Sequence, residues 1–306
     1  MKVYDGLRDR GIQRKPRAVA VGIFDGVHRG HQRILKRVLG EARRRAVPSM
    51  VITFDPHPCR VLKAGETCPI LMSLAHRLKF FERLGLSETL VIRFTKEFSK
   101  VTREKFLHEF LLGRLGMQAL VVGHDFCFGR KALGNTDYLR EESKLCGFDM
   151  SLVRPLVFAG GNISSTKVRH WIEHGDLTTA RRMLGRPVSV YGTVVRGRGR
   201  GKPLGFPTAN LNPHHETLPP AGVYAAWGYL NGKKLKGVIH IGPRPTFGDF
   251  ERTLEVHFLD FHRDIYGREL ELLFVRCLRR TRPFQHPAEL ASAIQKDIAQ
   301  ARRLLR

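Results

Sequence analysis

The residues best suited to chemistry lie between Gly22 and His31, in the string GIFDGVHRGH. His28 and His31 are three positions apart, so around the first turn of a helix their rings can point the same way and donate to phosphate oxygens. Gly26 and Gly30 let backbone approach a ligand closely, and a helix N-terminus adds unpaired N–H groups and a positive dipole potential. Two surface histidines on an amphipathic helix are the plain alternative, and the glycine turn directly before them argues against it. The chemistry predicted is the handling of nucleotide phosphates.

A second set begins at Val195 and reads VRGRGRGKPLGFPTAN to Asn210. Gly197, Gly199, Gly201 and Gly205 permit a backbone that wraps phosphates, while Arg198, Arg200 and Lys202 supply charge. Taken alone, such a stretch equally reads as a flexible linker or an RNA-binding segment. Thr208 and Asn210 alternate to one side of an extended segment and both offer oxygen ligands to Mg2+, with a hydrogen-bonded turn as the alternative. Further on, Leu254, Val256 and Phe258 face one way on a strand and Glu255 and His257 the other. A carboxylate so placed can take the proton of a substrate hydroxyl as a general base; an ordinary exposed glutamate has the same spacing.

The elements that must carry these groups change texture midway. In the first half, short apolar runs at Val19 to Phe24, Met50 to Phe54, Leu90 to Phe94 and Leu120 to Gly123 read as buried strands. Helical patterns lie between them at Gln32 to Ala46, Ser73 to Leu84 and Arg103 to Leu115, with Ser73 and Thr102 as caps and Gly85 and Gly116 as stops. Alternation of this kind predicts an α/β domain with a parallel sheet. After about Gly185 the pattern becomes strand-rich: Val188 to Val195, Gly222 to Leu230, Leu235 to Ile241, Thr253 to Phe261 and Leu270 to Leu278, with turns such as Asn231-Gly232. This predicts a small antiparallel β-barrel with one terminal helix, Pro287 to Leu305, over a barrel opening. The expected domains are residues 1–184 and 185–306.

Composition narrows the classes. The 306 residues are 42% hydrophobic and 26% charged, as in a globular protein. A net charge of +25 implies attraction to polyanions without saying which. Cys59, Cys68, Cys127, Cys146 and Cys277 are odd in number and form no CxxC pair, which argues against a disulfide framework and a zinc cage and for a reduced cytoplasm. No stretch has signal-peptide or membrane-span character, so no membrane association is expected. A basic nucleic-acid-binding protein is the different-class alternative; dispersed basic residues and the lack of an aromatic RNP-type signature weigh against it.

GIFDGVHRGH resembles the HxGH class of nucleotidylyltransferases. TFDPHP at Thr53 to Pro58, VVGHDFCFG at Val121 to Gly129 and NISSTKVR at Asn162 to Arg169 resemble the remaining motifs of the prokaryotic FMN adenylyltransferase module. LGFPTAN, GVIHIGPRPTF at Gly237 to Phe247 and TLEVHFLDF at Thr253 to Phe261 resemble riboflavin kinase. Together they are similar to the bacterial bifunctional riboflavin kinase and FMN adenylyltransferase, or FAD synthetase, in order over nearly the whole chain.

The resemblance implies a Rossmann-like adenylyltransferase domain followed by a riboflavin kinase-like barrel, with ATP and riboflavin as substrates, FMN as intermediate and FAD as product. It implies an ATP site framed by Gly22, Phe24, Gly26, Gly30 and His31 together with Ser164, Ser165, Thr166 and Arg169. His28, His31, Asp125 and Arg169 then serve adenylyl transfer, and His57, Pro58, Asp125, Phe126 and Phe128 the flavin. Helix capping by the three hydroxyls and core packing by the two phenylalanines are the ordinary readings of those residues. In the second domain the resemblance makes Glu255 the base, and Thr208 and Asn210 the residues that hold Mg2+ and ATP phosphates. His240 stands where the pattern has Asn, Lys167 where it has Arg, and Pro203 where the glycine loop has another residue. One module being inactive is the close alternative.

Overall fold

The computed structural model describes the whole chain except residues 64–67, 198–204, 215–216 and 244–251. It forms two compact units, Met1–Ile70 with His76–Ser165, and Leu71–Ala75 with Thr166–Arg306.

The first unit is built on strands β1 (Lys2–Asp5), β2 (Arg17–Val21), β3 (Ser49–Asp55), β4 (Glu88–Arg93), β5 (Met117–Gly123) and β6 (Asp149–Val153). They form one parallel sheet in the order β1-β4-β3-β2-β5-β6. The expected strands are all present. The two edge strands gave no apolar run: β1 buries only Tyr4 and β6 has no fully buried residue. Helices α1 (Arg29–Arg45), α2 (Pro58–Leu62), α3 (Leu74–Arg83) and α4 (Thr136–Cys146) connect the strands, and a small hairpin pairs β7 (Val157–Phe158) with β8 (Gly161–Asn162). Lys105–Arg114 is helical as expected but winds as a π-helix, closed by Leu115 N donating to Phe110 O. Thr102 does accept from the Lys105 N–H, at 3.2 Å. At the floor of the sheet, Glu88 receives hydrogen bonds from the fully buried Arg17 at 2.6 Å and from Tyr4 at 3.0 Å.

Strand order reverses at β2, with β3 on one side and β5 on the other. In open α/β sheets the crevice outside the carboxyl ends of the strands at such a point is where ligands bind. GIFDGVHRGH follows β2, TFDPHP closes β3, and Asp125 follows β5. Three separate motifs therefore meet at one sheet edge.

The second unit contains α5 (Ser165–Glu173) from Thr166 onward, α6 (Leu177–Leu184), and strands β9 (Ser189–Val195), β10 (Ala209–Pro213), β11 (Gly222–Leu230), β12 (Lys233–Pro243), β13 (Arg252–Phe258) and β14 (Glu269–Arg280). The strands close an antiparallel barrel, β10-β13-β12-β11-β14-β9, filled by Tyr224, Ile239, Leu254, Val256, Phe258 and Phe274. Helix α7 (Pro287–Leu304) was expected over an opening, and that is corrected. Its Ala301 and the following Leu305 pack on Val223, Ala225 and Val238, which alternate with the interior residues and so form the outer wall.

The cysteines also need correction. Cys59 and Cys68 are joined in a disulfide, leaving Cys127, Cys146 and Cys277 free. Nine residues of separation with no motif carried no signal in the sequence.

Candidate functional site

The chain leaves β2 through a left-handed turn, with φ of +54° at Phe24 and +77° at Gly26. The Phe24 ring is buried between His31, at 5.4 Å between centroids, and Phe81, at 5.9 Å. Phe24 thus props the imidazole from beneath.

His28 caps α1, its Nδ1 accepting from the His31 backbone N–H at 3.3 Å. The two rings stack with centroids 3.6 Å apart and planes 20° from parallel. Gly30 makes this possible: a Cβ there would stand 3.1 Å from Cε1 and Nδ1 of His28. Burial, reinforced by the nearby His28 and Arg77, holds the His31 imidazole well below the usual histidine range. His31 is therefore neutral, and its buried Nδ1 has no hydrogen-bond partner among the described residues. A neutral ring with one N–H and an aligned neighbour is a donor pair for phosphate.

Arg77 was not singled out from the sequence. Its buried guanidinium donates to Ile23 O at 2.7 Å, Thr53 Oγ1 at 2.7 Å and Phe54 O at 3.2 Å, and lies 3.6 Å from Asp55. It ties the ends of β2 and β3 together under the turn. An arginine in a helical run looks like a solvated charge, so the sequence hid it.

Ser165 Oγ donates to Asp25 O at 2.9 Å, which fastens the NISST segment to the same turn; Ser164 precedes it, partly buried. Thr166 and Arg169 fall in α5 within the second unit. On the other side of the edge, His57 caps α2, with Nδ1 accepting from Cys59 N at 3.2 Å, and Pro58 is the first helical residue. Asp125 is exposed beyond β5, with His124 Nδ1 3.6 Å away. Phe126 and Phe128 stack on each other at 5.4 Å, and Phe128 rests on Phe106 at 5.6 Å, so both rings pack against the core.

On the barrel, strand register decides the arrangement. Glu255 stands opposite Asn210 of β10 and opposite His240 of β12, in one row across three strands. Leu254, Val256 and Phe258 are buried inside while Glu255 and His257 are partly exposed outside, as the alternation predicts. A Cβ on Gly197 would fall on the Asn210 side-chain amide, so this glycine leaves room for it. His257, whose role the sequence did not disclose, has Nδ1 2.8 Å from Pro207 O and meets the Phe206 ring edge-on at 5.9 Å. It anchors the segment that delivers Thr208 and Asn210. Gly205 is left-handed, at φ +83°; Gly199, Gly201 and Lys202 lie outside the described residues.

A stacked histidine pair at the switch point of a parallel sheet, followed by a closed barrel with a carboxylate beside an amide on its wall, defines a two-module phosphoryl- and nucleotidyl-transfer protein. The FAD synthetase family model matches residues 12–167 and the riboflavin kinase family model residues 184–305. Among curated relatives, the bifunctional riboflavin kinase/FMN adenylyltransferase of Pseudomonas fluorescens is 36% identical over 305 residues, covering 99% of this chain and 98% of the relative. The protein of the same name from Escherichia coli K12 is 35% identical over 306 residues, covering 99% and 97%, and that from Bacillus subtilis 32% over 289, covering 92% and 90%. The chain belongs to the bifunctional riboflavin kinase/FMN adenylyltransferase family.

A solved structure named as a macrolide-efflux protein from Streptococcus pneumoniae is also similar, with a TM-score of 0.84 and 27% identity over 99% of both chains. Efflux is said of that protein. Among the described residues of this chain, no helix is long and apolar enough to cross a membrane.

Proposed function

We propose that this chain makes FAD in two steps. The barrel phosphorylates riboflavin with ATP to FMN, and the α/β domain adenylylates FMN with a second ATP, releasing pyrophosphate. The observation that carries this reading is the presence in one chain of the stacked His28–His31 pair at the sheet's switch point and the Glu255–Asn210 pairing on the barrel wall. The functional boundary is taken at residues 184 and 185, where the riboflavin kinase match begins.

In the first step Glu255 accepts the proton of the ribityl 5′-hydroxyl as that oxygen attacks the γ-phosphorus and ADP leaves. Asn210, opposite that carboxylate, and Thr208, two residues before Asn210 in the chain, offer uncharged oxygens, a donor set that fits the hard cation Mg2+. Bound there, Mg2+ would neutralise charge on the ATP phosphates. The glycine-rich stretch, with Gly197, Gly199, Gly201, Lys202 and Gly205, is the segment assigned to those phosphates; residues 198–204 lie outside the described residues.

In the second step a phosphate oxygen of FMN attacks the α-phosphorus of ATP. His28 and His31 donate to the phosphate oxygens as charge builds, with Gly22, Gly26, Gly30, Ser164 and Ser165 around the triphosphate. Asp125 orients FMN, and His57, Pro58, Phe126 and Phe128 line its side. Substrates of this kind fit a cytoplasmic enzyme.

The test is purified protein with riboflavin, ATP and Mg2+, resolving FMN and FAD over time. His31→Ala should lower FAD formation by about 10²–10³-fold while FMN still forms. Glu255→Gln should lose FMN formation by roughly 10²–10⁴-fold yet convert supplied FMN to FAD. Loss of both activities in each folded variant would overturn the division of labour.

A further inference from the structure

A third group of chemically active side chains lies away from both sites. His108 projects from the π-helix, while Glu142 and Cys146 are four residues apart on α4 and so share one face. Glu142 Oε2 is 3.2 Å from His108 Nε2 and 3.6 Å from Cys146 Sγ, and Cys146 Sγ is 3.9 Å from His108 Nδ1. One donor atom from each residue falls within 4.8 Å of the other two. Zn–N and Zn–S bonds of about 2.0 and 2.3 Å give ligand-to-ligand edges of roughly 3.3–3.6 Å in a tetrahedral site. Glu142 now faces Nε2 of His108 and Cys146 faces Nδ1, so side-chain shifts within the 4.8 Å span must bring both to the one ring nitrogen that ligates.

Charge favours a cation here. The Glu142 side chain is only 16% exposed, and its carboxylate faces His108 Nε2 at 3.2 Å. An imidazole, a carboxylate and a thiol converging from two helices make a mixed N, O and S set. Such a set suits a borderline divalent ion and is poor for Mg2+ or Ca2+, which want oxygen alone.

We propose that His108, Glu142 and Cys146 bind one divalent cation of the zinc class, with the fourth position open to water. On binding, the Cys146 thiol proton leaves to solvent and the sulfur ligates as thiolate. The ion clips the π-helix to α4. Phe106 on the π-helix and Tyr138 on α4 both pack on Phe128, at 5.6 and 6.2 Å, so the clip steadies the loop that follows β5.

The probe is Co2+ titrated into the full chain after chelator treatment. The expected result is one equivalent bound with a near-ultraviolet thiolate-to-cobalt band, displaced by Zn2+, and a Tm raised by Zn2+. Cys146→Ser should abolish the band, and His108→Ala or Glu142→Gln should weaken Co2+ binding by about tenfold or more. Cys277→Ser should leave it unchanged, and so should Cys59→Ser, which breaks the other cluster of His57, Cys59 and Cys68. Absence of the band, its survival in folded Cys146→Ser, or its loss in Cys59→Ser would each overturn the proposal.

Discussion

The rings of His28 and His31 stack 3.6 Å apart while the backbone N–H of His31 donates to Nδ1 of His28. That hydrogen bond assigns Nδ1 of His28 as an acceptor, so its ring N–H is on Nε2. Two stacked imidazoles cannot both be charged cheaply, and burial settles which form wins.

The folded protein keeps His31 neutral to a pH well below the ordinary histidine range. As pH falls, the unfolded chain therefore takes the proton first. Stability from this group is full above about pH 6.5 and declines below it until the folded ring itself protonates. Urea unfolding between pH 5 and 8 should show that decline in the wild type and a weaker one in His31→Gln. Equal slopes would remove His31 as the cause.

Gly197→Ala places a Cβ where the Asn210 amide now lies. Displacing that side chain by about 1 Å should lower FMN formation by up to roughly 10²-fold. FAD formation from supplied FMN should not change. An unaffected kinase rate would show that Asn210 can yield without loss.

His257→Ala removes the hydrogen bond to Pro207 O. A bond of this kind contributes about 0.5–1.5 kcal/mol, so KM for MgATP in the kinase step should rise roughly two- to tenfold with a smaller change in kcat. Steady-state kinetics at saturating riboflavin measures both. A drop confined to kcat would place His257 in the chemistry instead.

Arg77→Met takes the guanidinium away from Thr53 Oγ1 and Phe54 O and leaves Ile23 O with the Thr53 hydroxyl alone as side-chain donor. Stranding buried acceptors should cost about 2–4 kcal/mol, read as a lower urea midpoint, with FAD formation falling and FMN formation kept. Full FAD activity in the folded variant would show that the turn holds without its brace.

The order of the motifs, the parallel sheet, the barrel and the alternation around Glu255 were legible because local rules govern them. Apolar runs mark buried strands, glycines mark turns, and period-two patterning sorts the two faces of β13. The edge strands β1 and β6 were not legible, since half-exposed strands carry no continuous apolar run.

Contacts between residues distant in sequence were beyond that reading. Nothing local announces that Arg77 will lie beneath a turn fifty residues earlier, that Cys59 will meet Cys68, or that α7 covers a wall and not an opening. Those outcomes follow from which surfaces remain apolar once the sheet and barrel close. The sequence by itself determined the order of the motifs and the residue types and spacings that make these groups candidates for the chemistry. Only the tertiary structure decided that His31 is neutral, that His28 is an acceptor at Nδ1, and that Glu255 stands between Asn210 and His240, because burial and strand register exist only in the folded chain.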